Sequence, residues 1–316
     1  MSRTPGKRLV KSIPANQCHL YGIRSIHALA NRLGWEIDKL ENMAMDGGYR
    51  VYPHRKTGRI IQEPSAALQS LHRNMHKYLS RITVPDYLHS AVKGRSYLTN
   101  ARSHVNGDAL IKIDIKKFYA SVPQHKVMQF FRDNLGCAAD VAGLLANLIC
   151  FNGKLATGSA VSPIISYYAF KETFDQIEIL AIQCGLTMTC YVDDVTLSGK
   201  KASAFVLHEV RTIIYRSGLK AHKEKYFPSG SPKLVTGVVA TDKGIRLPFS
   251  RWRKIRQQLR ELAACNHDEQ RLAIYPILIS RLYEAAQIEM RCRSMAELYH
   301  AEWRILKSCK QVSASA

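Results

Sequence analysis

Thr189-Cys190-Tyr191-Val192-Asp193-Asp194-Val195-Thr196-Leu197-Ser198 sets two adjacent acids between two short runs of β-branched and aromatic residues. Such runs favour strands, so the stretch predicts a tight β-hairpin with residues 192–195 at or near its tip. Asp is poor in a strand interior, and two neighbouring carboxylates repel each other. Something must compensate, and a divalent cation is the simplest candidate. Mg2+ prefers carboxylate oxygens and leaves positions open for phosphates.

A third acid fits the same reading. Ile111-Lys112-Ile113-Asp114-Ile115 alternates strictly, so a strand here would turn three isoleucines to one face and Lys112 and Asp114 to the other. Beside the hairpin, this strand would bring Asp114, Asp193 and Asp194 to one site. Two metal ions about 3.5–4 Å apart would serve in-line phosphoryl transfer there. An Asp-Asp pair by itself is more often a solvated turn; the flanking runs and the upstream strand carry the reading.

Composition narrows the function classes. The chain has 316 residues, of which 46% are hydrophobic, and a formal charge of +21. That length holds one large domain or two to three lobes with a real core. The charge does not follow from folding needs, and its self-repulsion is best tolerated when a polyanion neutralises it. Nucleic acid is the leading partner and a membrane surface the runner-up. There is no run of about 18 apolar residues and no signal-peptide pattern, so no membrane partner is expected. The eight cysteines include no CxxC pair; they read as reduced, mostly buried thiols of a cytoplasmic protein rather than a zinc site.

Along the chain, residues 1–24 carry scattered basic residues and predict a partly ordered arm. Ser25 caps a helix with Ile26, Leu29, Ala30 and Leu33 on one face, ended by Gly34. Tyr49-Arg50-Val51-Tyr52 and Ile60-Ile61 predict a hairpin whose turn carries Arg55, Lys56 and Arg59. Such a turn either reaches phosphates or is simply solvated. Pro64 predicts the start of a long helix with Leu68, Leu71, Met75, Leu79 and Ile82 on one stripe. Asn100 and His104 share a face if their segment is helical, and on their own read as structural polar groups. Ser162-Pro163 predicts the start of a helix that runs to about Gln183. Residues 202–217 predict an amphipathic helix and 234–239 a short strand. Over 249–262, Trp252, Ile255, Leu259 and Leu262 form an apolar stripe flanked by Arg251, Arg253, Lys254, Arg256 and Arg260. That basic face is either solvated or tracks a nucleic-acid backbone. Further helices are predicted over 270–306, with Pro276 kinking one or starting the next, and a frayed polar tail from Lys307.

Several stretches resemble the boxes of reverse transcriptases. Tyr191-Val192-Asp193-Asp194 is similar to their YxDD box. Asp114-Ile115-Lys116-Lys117-Phe118-Tyr119-Ala120-Ser121 is similar to their first-aspartate motif, D-x-x-x-F-[FY]-x-S. Leu155-Ala156-Thr157-Gly158-Ser159-Ala160-Val161-Ser162-Pro163 resembles a third box, with Thr157 in place of the usual Gln and Ala160 in place of the usual Pro. Asn100-Ala101-Arg102-Ser103-His104 matches the NAxxH signature, and Val235-Thr236-Gly237 the VTG signature, of bacterial retron reverse transcriptases. The resemblance to that family extends over most of the chain.

The resemblance implies an RNA-directed DNA polymerase of the α+β class, a right hand of fingers, palm and helical thumb. It divides the chain into an arm (1–24), N-terminal helices and fingers (25–105), a palm (106–240, with finger elements around 125–160) and a thumb with its tail (241–316). It makes Asp114, Asp193 and Asp194 ligands of two Mg2+, with the Ile115 carbonyl as a further ligand. Lys56 and Arg59 would clamp the incoming dNTP, and Tyr119 would stack beneath its sugar and exclude a 2′-hydroxyl. Thr157 and Gly158 would lie near template and nucleotide. Lys225, with Lys223 as fallback, would balance pyrophosphate charge. Asn100, His104, Val235, Thr236 and Gly237 would serve the retron RNA, and Arg251, Arg253, Lys254, Arg256 and Arg260 the duplex backbone.

By the same resemblance, the enzyme copies part of a cognate structured non-coding RNA (msr-msd) into multicopy single-stranded DNA, msDNA. Synthesis is primed from an internal guanosine 2′-hydroxyl, and an accessory effector protein completes an anti-phage defence system. The roughly 54 residues after Leu262 are short for an RNase H domain, so that activity is expected from the host RNase H. Two other readings stay open: a stand-alone, group II intron-like enzyme using 3′-hydroxyl primers, and a non-catalytic nucleic-acid-binding scaffold.

Overall fold

The computed structural model describes residues 12–45 and 48–315, with side chains as far as Lys310. The chain forms two compact units, one made of the residues up to Ser96 and of Asp108–Tyr226, the other of Tyr97–Gly107 and the residues from Phe227 onward. Helices and antiparallel strands are mixed throughout, the α+β class that the sequence implies.

The first unit opens with α1 (Ile26–Leu33), α2 (Ile37–Met45), the hairpin β1 (Tyr49–Pro53) and β2 (Ile60–Pro64), and α3 (Ala66–Leu79). After α4 (Tyr97–Arg102), which belongs to the second unit, come β3 (Leu110–Ile115), α5 (Phe118–Ser121), α6 (Gln124–Gln129) and α7 (Ala139–Ile149). A small hairpin, β4 (Cys150–Phe151) and β5 (Lys154–Leu155), leads to α8 (Ser162–Ala169) and α9 (Lys171–Gln183). The central hairpin β6 (Thr187–Tyr191) and β7 (Asp194–Ser198), α10 (Ala204–Arg216) and β8 (Ala221–Phe227) complete the unit. Its main sheet has the order β6-β7-β3-β8. β3 and β6 both run antiparallel to β7.

Alternation decides which way this sheet faces. Ile111, Ile113 and Ile115 are buried in the core with Val195 and Leu197, while Lys112 and Asp114 remain partly exposed on the other face. The core continues through α3, where Leu68, Leu71, Met75 and Leu79 are fully buried, and through the apolar helix α7. Emptying one such position, as in Ile113→Ala, would cost about 2–5 kcal/mol.

The second unit places a three-stranded sheet, β9 (Lys233–Val235), β10 (Val238–Thr241) and β11 (Gly244–Arg246), before three helices. These are α11 (Phe249–Ala264), α12 (Asp268–Ala286) and α13 (Arg291–Ser315). Their core gathers Ile255, Leu262, Leu278, Leu282 and Cys292, with Trp252 and Leu259 packed against it, so the predicted α11 stripe is the buried one.

Several local expectations are corrected. Residues 1–11 of the predicted arm lie outside the described residues, but from Ile13 the segment is packed, with Cys18, Leu20 and Ile23 buried. Pro64 ends β2 rather than starting α3. The cap is Ser65, whose Oγ accepts the Leu68 N–H. Ser162 does not cap its helix; its hydroxyl donates to the Ala156 carbonyl at 2.5 Å. The helix expected to run to Gln183 is broken at Phe170, where α8 ends and α9 begins. Val235-Thr236-Gly237 is not a continuous strand but the turn joining β9 to β10, with Thr236 at φ 44° and Gly237 at φ 76°. Pro276 lies inside α12, and the tail expected to fray is helical to Ser315. Among the described residues all eight cysteines are free thiols, and no helix is long and apolar enough to cross a membrane.

Candidate active site

The hairpin turn is the two residues Val192 and Asp193, between the paired Tyr191 and Asp194. Such a turn needs positive φ at its first central position, and Val192 adopts φ 60°. A β-branched residue held there stores about 1–3 kcal/mol of strain. The surroundings hold it in place: the Val192 N–H donates to Ser90 Oγ at 3.0 Å. Two residues earlier, on β6, Cys190 N–H donates to the Tyr87 carbonyl at 2.7 Å and His89 N–H to the Cys190 carbonyl at 2.9 Å.

This turn delivers its acids to β3. Asp114 is paired in register with Asp194, and the Ile115 N–H donates to the Asp193 carbonyl at 2.8 Å. Lys112 Nζ lies 2.5 Å from Asp194 Oδ2, both side chains largely buried. On the other side of β3, His222 Nδ1 stands 2.9 Å from Asp114 Oδ1 and 3.3 Å from the Asp114 carbonyl, and Lys223 Nζ 3.9 Å from Asp114 Oδ2. Only the His222 contact to the carbonyl has hydrogen-bonding geometry, so Asp114 Oδ1 is buried without a hydrogen-bond partner.

Burial pushes the Asp194 carboxyl up to about 6; Lys112 pulls against this rise, and the charges of Asp193 and Asp114 add to it. Asp193 is raised by burial and by Asp114, with Arg59 and Lys223 opposing. Tyr119 is raised by burial first and then by Asp193 and Tyr191. Asp193 and Asp194 thus both resist ionising, the mark of a site short of positive charge.

Whether a divalent cation fits can be tested on the donors. Among the described residues, no three or more His, Cys, Asp and Glu side chains are gathered so as to hold a metal ion as they stand. Yet Asp114 Oδ1 and Asp194 Oδ1 are both buried oxygens without hydrogen-bond partners. Orphaned carboxylate oxygens on adjacent strands have the chemistry of hard-cation ligands. The donor set fits, while the other Asp194 oxygen, Oδ2, pairs with Lys112.

In front of these acids lies a cleft of about 560 Å3. Its wall includes Asp114, Asp193, Tyr119, Arg59, Thr157 and His222. The structure therefore brings Arg59, Tyr119 and Thr157 to the acids. Gly158 sits behind this wall, against the Gln62 backbone. Lys56 is exposed in the hairpin turn and Lys225 on β8; neither lines the cleft. Of the two β8 lysines, the one beside the acids is Lys223. Its φ of 53° breaks the alternation of β8, which is how two consecutive residues, His222 and Lys223, reach the same carboxylate.

The remaining expected residues belong to the second unit. Asn100 and His104 are both 0% exposed. Asn100 Nδ2 donates to Thr236 Oγ1 at 3.4 Å, and that hydroxyl donates to the Tyr97 carbonyl at 2.8 Å. The NAxxH and VTG segments are thus joined to each other. On α11, Arg253, Lys254, Arg256 and Arg260 are exposed, whereas Arg251 is tied to Glu284 at 2.9 Å and lies over the Tyr97 ring.

Residues 46–229 match the family of "Reverse transcriptase (RNA-dependent DNA polymerase)". The chain belongs to that family. Among reverse transcriptases it is 28% identical over 289 residues to the Retron Mx162 reverse transcriptase of Myxococcus xanthus, covering 78% of this chain and 59% of that one. It is 26% identical over 243 residues to the Retron Ec86 reverse transcriptase of Escherichia coli, covering 74% of this chain and 76% of that one. The chain thus spans less than two thirds of the Mx162 relative. A solved foamy viral protease-reverse transcriptase in complex with RNA/DNA hybrid aligns at a TM-score of 0.45 and 16% identity, over 83% of this chain and 33% of that one. Similarity to retron enzymes, expected from the motifs, is thereby borne out.

Sequence reading missed three neighbours of the acids. Lys112 could have been found, since it lies two residues before Asp114 on the same strand face. His222 and Ser90 carry no local signal; only the fold brings them in.

Proposed function

We propose that the chain is a retron reverse transcriptase that copies part of a cognate structured RNA (msr-msd) into msDNA, primed from an internal guanosine 2′-hydroxyl, in an anti-phage system with an effector protein and host RNase H. The observation that carries the polymerase reading is the registered pair Asp114–Asp194 with Asp193 beside it, Asp114 and Asp193 lining a cleft that also holds Arg59 and Tyr119. The retron reading rests on the NAxxH and VTG signatures together and on the similarity to Mx162 and Ec86. The first unit would hold fingers and palm, and the second the thumb.

Asp114, Asp193 and Asp194, with the Ile115 carbonyl, would hold two Mg2+, whose charge when bound activates the attacking hydroxyl and offsets the leaving pyrophosphate. The chain's own residues position everything else. The Ser90 hydroxyl fixes the strained turn that presents Asp193. Arg59 and Lys223 supply positive charge for the triphosphate, Arg59 through a planar fork suited to phosphate oxygens. The Tyr119 ring occupies the space a 2′-hydroxyl would need. No side chain acts as a nucleophile; catalysis is positioning and charge neutralisation.

The test is to express the gene with its flanking DNA and look for a small RNase-resistant DNA. A discrete band that shifts on debranching and vanishes in Asp193→Asn/Asp194→Asn supports the reading. Absence of the band, with extension of a primed RNA by the purified protein, replaces it with a free-standing reverse transcriptase.

A further inference from the structure

Residues 156–160 are where the chain departs from the box it resembles, and each departure is met by a glutamine from elsewhere in the first unit. Thr157 N–H donates to Gln62 Oε1 at 3.0 Å, and the Thr157 hydroxyl donates to the same oxygen at 2.8 Å. In return, Gln62 N–H donates to Thr157 Oγ1 at 3.1 Å. The next residue extends the contact, Gly158 N–H donating to the Gln62 carbonyl at 3.0 Å. At the second departure, Ala160 N–H donates to Gln69 Oε1 at 3.2 Å, while Gln69 Nε2 donates to the Gly158 carbonyl at 3.2 Å. Proline at 160 would have no N–H to give.

Steric fit points the same way. A Cβ on Gly158 would stand 2.5 Å from the Gln62 carbonyl oxygen, closer than real Cβ atoms come. Only glycine lets the loop and β2 approach this far. Gln62 and Thr157 both line the cleft, and β2 begins at Ile60, next to Arg59. The hairpin that carries Arg59 is therefore bonded at its base to the 156–160 loop, which lines the same cleft.

We propose that Thr157 and Gln62 are a positioning pair, seated by Gln69, that fixes the Arg59 hairpin over the cleft before the nucleotide arrives. The inference rests on the polymerase reading above. A hairpin already ordered loses little freedom when a triphosphate binds, so the pair acts on nucleotide affinity more than on the chemical step.

Single-nucleotide incorporation on a primed RNA template tests it. Thr157→Val, which keeps the shape and loses the hydroxyl, raises the dNTP KM about five- to tenfold, as loss of one part-buried hydrogen-bond group should, and lowers kcat less. Thr157→Ser restores KM. Thr157→Val combined with Gln62→Leu is no worse than the worse single variant, because the two act as one unit. An unchanged KM in Thr157→Val, or losses that add in the double variant, overturns the pair. Hydrogen exchange gives a second readout: the Gln62 and Gly158 amides exchange faster in Thr157→Val, and unchanged protection also overturns it. If the native chain incorporates no nucleotide on any template, the polymerase reading fails, and the exchange measurement still decides whether the clamp exists.

Discussion

Asp114 and Asp194 face each other as a registered pair across β3 and β7, and each leaves one buried carboxylate oxygen without a hydrogen-bond partner. The second Asp194 oxygen is held by Lys112. Two strands thus converge on buried carboxylates that Lys112 and, at 3.9 Å, Lys223 only partly balance, an arrangement that costs folding free energy and favours a bound cation.

The first prediction concerns pH. Burial raises the Asp194 carboxyl from 3.8 to about 6, so the folded chain holds this proton more tightly than the unfolded one. Its contribution to stability is complete below about 3.8 and is lost as pH rises through about 6. A divalent cation needs the ionised form and competes with Lys112 for it. Adding Mg2+ should therefore raise the thermal midpoint more at about pH 7.5 than at about pH 5. Equal increments at both would remove Asp194 from the ligands.

Tyr119 is the proposed gate against ribonucleotides. Its ring is half-buried in the cleft wall beside the acids. Tyr119→Ala should raise ribonucleotide relative to deoxynucleotide incorporation by roughly ten- to a hundredfold, the range over which a pocket wall discriminates one hydroxyl. Comparing kcat/KM for the paired nucleotides measures it, and unchanged selectivity would take Tyr119 out of that role.

Asn100 is held inside its own unit. It has no exposed surface, and its amide reaches the Thr236 hydroxyl. Asn100→Ala should destabilise the chain by about 1–3 kcal/mol, the cost of leaving buried polar groups unpaired. Denaturant unfolding reads this directly. Unchanged stability together with a loss restricted to one RNA would instead make Asn100 a direct reader of that RNA.

What the sequence made legible was local. Alternation in residues 111–115 set which face of β3 is open, and the β-branched runs around Asp193-Asp194 set the hairpin, because both signals lie within a few residues. The α11 stripe was legible for the same reason. What it hid depends on long-range contact or on backbone exceptions. Gln62 and Thr157 are 95 positions apart. Lys223 supplants Lys225 at the acids because one positive φ breaks an otherwise regular strand. Asn100 and His104 are polar, yet the fold buries them completely, which their residue types do not announce. Ser162 looked like a cap, but its hydroxyl found the Ala156 carbonyl six residues back.

The most direct test of the account is DNA synthesis by the purified chain on a primed RNA template with dNTPs and Mg2+, native against Asp193→Asn/Asp194→Asn. The account predicts template-dependent extension by the native chain, a loss of at least about a hundredfold in the variant, and retained RNA binding. Equal extension by both would contradict the assignment of the three carboxylates and, with it, the proposed mechanism.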